Sequence, residues 1–161
     1  MSKQLLLVRH AQAEAPNTVQ KDFDRELNAT GYAEALRMGK CLAEKSVRPD
    51  AVYASPSRRT TTTAQLMAEQ LGFPFDRVVF EEGIYEGSVR NLMQVINGLA
   101  ETHACVMLIG HNPHVSYLAE YLTHREIGTL PTGGVVAVTF SDQTWAALSS
   151  NTGQLAWYEH P

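Results

Sequence analysis

Four short apolar runs recur along the chain: LLLV (5–8), AVYA (51–54), RVVF (77–80) and CVMLI (105–109). None alternates with polar residues, which is the pattern of strands buried on both faces. Between them the spacing becomes helical. In TGYAEALRMGKCLAEK, the residues Tyr32, Ala35, Leu36, Gly39, Leu42 and Ala43 make one continuous face, with Asn28 or Thr30 as N-cap. Leu92, Val95, Ile96 and Leu99 do the same after Ser88, and Val115, Leu118, Ala119 and Leu122 after Pro113. Arg58 to Leu71 reads as a weaker helix, because its threonines lose rotamer freedom there. GVVAVTF (134–140), TWAALSS (144–150) and QLAWYEH (154–160) read as successive closing strands.

Strands alternating with helices predict an α/β fold with helices layered on a mostly parallel sheet. Such sheets bind ligands beyond the carboxyl ends of their strands. Three ionisable segments fall there. The first strand ends in Arg9-His10, the second is followed by SPSRR (55–59), and the fourth ends in Gly110-His111. Arginine presents a permanently charged fork of donors suited to phosphate oxygens. Neutral histidine has a lone pair for displacement at phosphorus. Two of each around one small volume repel unless an anion sits among them, and a phosphoryl group is the natural occupant.

Bulk properties narrow the alternatives. The 161 residues suit one domain, and the formal charge of -4 leaves no global basic field for nucleic acid or an anionic membrane. The four aliphatic residues near the N-terminus are too few for a signal or membrane segment. Cys41 and Cys105 are far apart and read as core residues of a reduced, cytoplasmic protein. His111 and His114 sit in H-N-P-H, but no further ligand pattern completes a zinc site. His114 therefore reads as structural or as part of a pocket rim. His103, His124 and His160 have no motif around them and read as surface, while Arg58 reads as a surface residue or as part of the pocket rim. Asp24 and Arg25 are expected to fix the loop after the first strand, with Arg25 also placed to reach a partner protein.

VRHA, SPSRRTTTTA and IGHNP, in that order, resemble the signatures of the histidine phosphatase (phosphoglycerate mutase-like) superfamily. The short chain, Asp24, Leu27, Asn28 and Gly31 near the first helix, and LPTGG (130–134) resemble its compact SixA-type branch of phosphohistidine phosphatases. The resemblance covers nearly the whole chain. It implies that residues 1–161 form a single histidine phosphatase domain, a three-layer α/β/α sandwich. It further implies His10 as the nucleophile that becomes a phosphohistidine intermediate, and Arg9 and Arg59 as the phosphoryl clamp. His111 would donate a hydrogen bond to the same oxygens, with Thr63 as a supporting substrate-binding residue. No metal or organic cofactor is implied. The expected partner is a phosphohistidine-bearing protein, such as a histidine phosphotransfer domain or a phosphotransferase-system protein, and nothing demands more than a monomer.

The proton donor is the open position. Ile84-Tyr85-Glu86 matches the family's L-x-E, which makes Glu86 the candidate general acid and Glu82 its substitute. An alkoxide needs that proton, whereas phosphohistidine can leave as neutral imidazole from an already protonated ring. The missing long insertions of the sugar-phosphate enzymes predict an open pocket. Two alternatives accompany this reading: a small-molecule phosphomonoesterase of the same superfamily, and a non-catalytic phosphate-binding module.

Overall fold

The computed structural model describes Ser2–Pro161. Six strands, β1 (Ser2–Arg9), β2 (Ala51–Ala54), β3 (Val79–Phe80), β4 (Cys105–Gly110), β5 (Val135–Ser141) and β6 (Gln154–Glu159), form one sheet in the order β3-β2-β4-β1-β5-β6. The first four run parallel, and β5 lies antiparallel to both β1 and β6. The helices are α1 (Ala29–Glu44), α2 (Arg58–Leu71), α3 (Glu82–Tyr85), α4 (Val89–Asn97) and α5 (His114–Thr123).

The run LLLV explains the layering. Successive side chains of a strand point to opposite faces. Leu5 and Leu7 accordingly join one core with Ile84, Leu92, Ile96, Val115 and Leu118 of α3, α4 and α5. Leu6 and Val8 join the other with Met38 and Leu42 of α1 and Ala64 and Met67 of α2. All four residues are fully buried, which contributes roughly 2 kcal/mol apiece. The result is the expected three-layer sandwich. No helix among the described residues is long and apolar enough to cross a membrane.

Several details depart from the sequence reading. The inward face of α1 is Gly31, Ala35, Met38, Gly39 and Leu42, while Tyr32 and Leu36 are exposed at 40% and 37%. Small residues decide this rotation. A Cβ on Gly39 would stand 2.8 Å from the Gln70 side chain, and one on Gly31 only 2.0 Å from the Gln12 carbonyl oxygen. TWAALSS is no strand. Thr144 caps a single 3-10 turn, Trp145–Ala147, by accepting from the Ala147 N–H. Trp145 is fully buried there and donates from Nε1 to the His103 carbonyl. RVVF yields only the two-residue edge strand β3, preceded by a 3-10 turn at Phe75–Arg77. The short helix α3 was not foreseen. Asn28 does cap α1, accepting from the Gly31 N–H.

The threonine run proves compatible with a full helix because its hydroxyls bond back to the backbone. Thr63 Oγ1 donates to the Arg59 carbonyl at 2.7 Å, and Thr60 Oγ1 to the Ser55 carbonyl at 2.7 Å. Gly31 brings α1 close against the segment leaving β1, and a Cβ there would meet backbone rather than a flexible side chain. Gly31→Ala is therefore expected to cost about 2–3 kcal/mol. A urea unfolding curve matching that of the wild type would show that the Gln12 segment can yield.

Candidate active site

The carboxyl ends of β1, β2 and β4 meet at a pocket of about 610 Å³. Arg9, His10, Arg59 and His111 line it, together with Gln12, Asp22, Arg25, Tyr85, Asn112 and His114. The backbone at the end of β1 is held on both sides. Arg9 N donates to the Gly134 carbonyl and His10 N to the Gly110 carbonyl, while Gly133 N donates back to the carbonyls of Arg9 and His10. Gly133 has φ +75, a left-handed conformation that glycine adopts at little cost. LPTGG thus braces the residues that end β1.

His10 is 9% exposed, and its Nδ1 lies 2.7 Å from the Ala11 carbonyl oxygen. A carbonyl can only accept, so Nδ1 carries the proton and Nε2 keeps the lone pair. Thr63 fixes the same segment from below by accepting from the Ala11 N–H. Burial pushes the His10 ring down to about 4, aided by the charges of Arg59, Arg9 and Arg25 against the opposing Ala11 hydrogen bond.

His111 has the reverse arrangement. Arg59 Nη2 lies 3.3 Å from its Nδ1, and a guanidinium can only donate, so Nδ1 accepts. Nε2 then donates to Ser55 Oγ at 2.8 Å. Burial, followed by the charges of His10 and Arg59, brings this ring down to about 3. Both imidazoles are neutral near pH 7, with ring centroids 5.3 Å apart.

The arginines are anchored but not saturated. Arg9 Nη1 donates to the Leu130 carbonyl at 2.7 Å. Arg59 donates to the Asp22 carbonyl at 2.8 Å and to Asp22 Oδ2 at 3.0 Å. The Nε atoms of both arginines are buried without a hydrogen-bond partner, as is His114 Nδ1. Buried donors of this kind are costly while nothing accepts from them.

Sequence reasoning placed Arg9, His10, Arg59 and His111, and the structure brings all four together. It does not bring Glu86. That residue is exposed, as is Glu82, and neither lines the pocket; Tyr85 of the same segment does. Ile84 packs into the core beside Gly110, and this sets which neighbour turns inward. Thr63 is fully buried and holds backbone rather than lining the pocket. Arg58 is exposed and pairs loosely with Glu26. Asp22, Arg25, Tyr85 and Ser55 were missed as site residues. The only signal for Asp22 was an acidic pair in DFD, where Asp24 drew attention instead. Arg25 turns inward to Asp22 Oδ1 and lines the pocket, a place the loop reading did not give it.

This fold and pocket define a class, enzymes that handle a phosphoryl group at the carboxyl edge of an α/β sheet. The histidine phosphatase superfamily (branch 1) matches residues 5–90. The chain belongs to the histidine phosphatase superfamily. A chloroplastic protein of Arabidopsis thaliana is 26% identical over 165 residues, spanning 98% of this chain and 75% of its own. The 2,3-bisphosphoglycerate-dependent phosphoglycerate mutase of Bartonella tribocorum is 39% identical over 74 residues, which cover 45% of this chain and 36% of the mutase. Among solved structures, a chain from Nakamurella described as a phosphohistidine phosphatase SixA has a TM-score of 0.86 at 21% identity, covering 100% of this chain and 97% of the other. The protein histidine phosphatase SixA complexed with tungstate gives 0.83 at 24%, covering 98% and 97%. At these identities the structural likeness concerns the fold.

The neutral imidazoles have a consequence for stability. Both folded values lie below the ordinary 6.5, so below that pH the unfolded chain takes up protons first. Their contribution is whole above about pH 6.5 and is lost as pH falls toward about 4 and about 3. The unfolding free energy from urea titration is expected to fall between about pH 7 and about pH 4.5, on the order of 2 kcal/mol per imidazole. The double variant His10→Asn/His111→Asn should flatten that slope; an unchanged slope would show that the rings are not the buried neutral groups responsible.

Proposed function

We propose that this protein is a SixA-like protein phosphohistidine phosphatase, acting in the cytoplasm as a single domain over residues 1–161. One observation carries the reading. His10, whose Nε2 keeps its lone pair, lines one pocket with the guanidinium-bearing side chains of Arg9 and Arg59.

In this reading His10 Nε2 attacks phosphorus, and an N–P bond forms as the bond to the substrate's ring nitrogen breaks. The electron pair goes to that nitrogen, which leaves as neutral imidazole if its ring was already protonated. Arg9 and Arg59 hold the phosphoryl oxygens. A phosphoryl dianion beside His111 favours its protonated ring, which then has an Nδ1–H to donate. Water attacks the phosphohistidine at position 10, returning the imidazole and dihydrogen phosphate. The position of the neighbouring SixA–tungstate complex in fold space supports this reading, since tungstate is a tetrahedral oxyanion.

The same site could serve a phosphomonoester, and the mutase relatives favour testing it. The position of Glu86 outside the pocket weighs against that use. The partner class is a phosphohistidine-bearing protein, such as a histidine phosphotransfer domain or a phosphotransferase-system protein.

The test compares phosphate release from a phosphohistidine protein with release from a panel of phosphomonoesters. Phosphohistidine should be the better substrate, and His10→Asn should lose at least ~10³-fold in turnover. Glu86→Gln should leave phosphohistidine turnover within about twofold. Full activity in His10→Asn, or a preference for esters that collapses in Glu86→Gln, would refute the reading.

A further inference from the structure

The pocket contains one carboxylate, and the mechanism above does not use it. Asp22 stands in the 3-10 turn Asp22–Asp24, half exposed at the pocket's solvent side, whereas His10 is buried at its floor. Oδ1 accepts from Arg25 Nε and Nη2. Oδ2 accepts from Arg59 Nη2 and, at 3.0 Å, from the Tyr85 hydroxyl. These four donors fill the carboxylate's lone-pair sites. Burial alone raises the Asp22 carboxyl, but the hydrogen bonds from Arg25, Arg59 and Tyr85 overcome this and bring it to about 2. It is a fixed negative charge at neutral pH and has no proton to give.

In the free pocket Arg25 and Arg59 offset the Asp22 charge. A phosphoryl group that draws Arg59 onto its own oxygens leaves part of that charge for something positive in the bound substrate. In-line displacement puts the leaving group opposite the nucleophile, which here means away from buried His10 and toward the solvent side where Asp22 stands. We infer that Asp22 is a specificity-determining residue that selects substrates by leaving-group charge, favouring a protonated phosphohistidine ring over an oxygen ester. This deepens the function proposed above and rests on it.

The exchange is balanced. When a phosphoryl group enters, Arg59 Nη2 transfers from Asp22 Oδ2 to a phosphoryl oxygen and frees a lone-pair site. The distal N–H of the substrate's imidazolium donates to that site. As the P–N bond breaks, its electron pair neutralises the ring, which leaves with its distal N–H intact, and no proton is delivered to the leaving nitrogen. An ester departs instead as an alkoxide, a second negative charge beside Asp22. The carboxylate thus binds the ring in the protonated form that can leave as neutral imidazole, and it opposes the departure of an alkoxide.

Asp22→Asn removes the charge and retains an oxygen that accepts from Arg59 and Tyr85. Turnover of phosphohistidine protein and of 4-nitrophenyl phosphate is measured for both proteins, with competitive inhibition by inorganic phosphate. The ratio of kcat/KM for phosphohistidine over the ester should fall about ten- to a hundredfold in the variant. Inorganic phosphate should inhibit the variant more tightly than the wild type. A merely structural Asp22 would lower both activities together and weaken phosphate binding, and either an unchanged ratio or weaker inhibition overturns the inference while leaving the function standing. A wild-type protein that releases no phosphate from phosphohistidine overturns both.

Discussion

Cations crowded into a small buried volume are the central constraint of this structure. Two like charges about 4 Å apart repel by roughly 4 kcal/mol at an effective dielectric near 20. Here Arg9, Arg59, Arg25, His10 and His111 all line one pocket. The fold makes this tolerable by keeping both imidazoles neutral through burial and by placing Asp22 between Arg25 and Arg59. Sheet order follows the same logic. β2, β4 and β1 stand side by side and parallel, so that their carboxyl ends deliver these groups to one edge.

Neutrality alone does not make the two histidines equivalent. A backbone carbonyl claims the Nδ1 proton of His10, whereas a guanidinium claims the Nδ1 lone pair of His111. The same side chain, 5.3 Å from its twin, is therefore set as opposite tautomers. One ring has a nucleophilic Nε2, and the other has Nε2 tied to the buried Ser55 hydroxyl. Division of labour between the imidazoles comes from what their other nitrogens touch.

Much of this was legible beforehand, and the reasons are specific. Strand runs such as LLLV and CVMLI are visible because both faces are buried, so no phase need be guessed. Arg9, His10 and His111 are visible because strand ends are fixed by the runs before them, and Arg59 because it fits the S-P-x-x-R spacing of the family that the motifs resemble. The inward face of α1 was not, since it is chosen by the close contacts of Gly31 and Gly39, which hydrophobicity does not mark. Trp145 misled in the same way. Its burial depends on Asn97, Glu101 and His103, some 40 residues distant in sequence. Asp22 entered the site by accepting from Arg59, and Tyr85 by donating to Asp22, contacts that no local pattern announces.

Proton supply then follows from the pocket's make-up. Both imidazoles are unprotonated near neutrality, Asp22 is ionised, and the Tyr85 hydroxyl is raised above its ordinary value by burial and by its bond to Asp22. Glu86, the carboxyl that sequence spacing favoured, points its chemistry elsewhere because Ile84 anchors α3 in the core and turns Tyr85 toward His111 instead. A pocket furnished this way holds phosphoryl oxygens well and protonates a leaving group poorly. That imbalance suits a leaving group that brings its own proton, as an imidazole ring protonated near pH ~6.5 does.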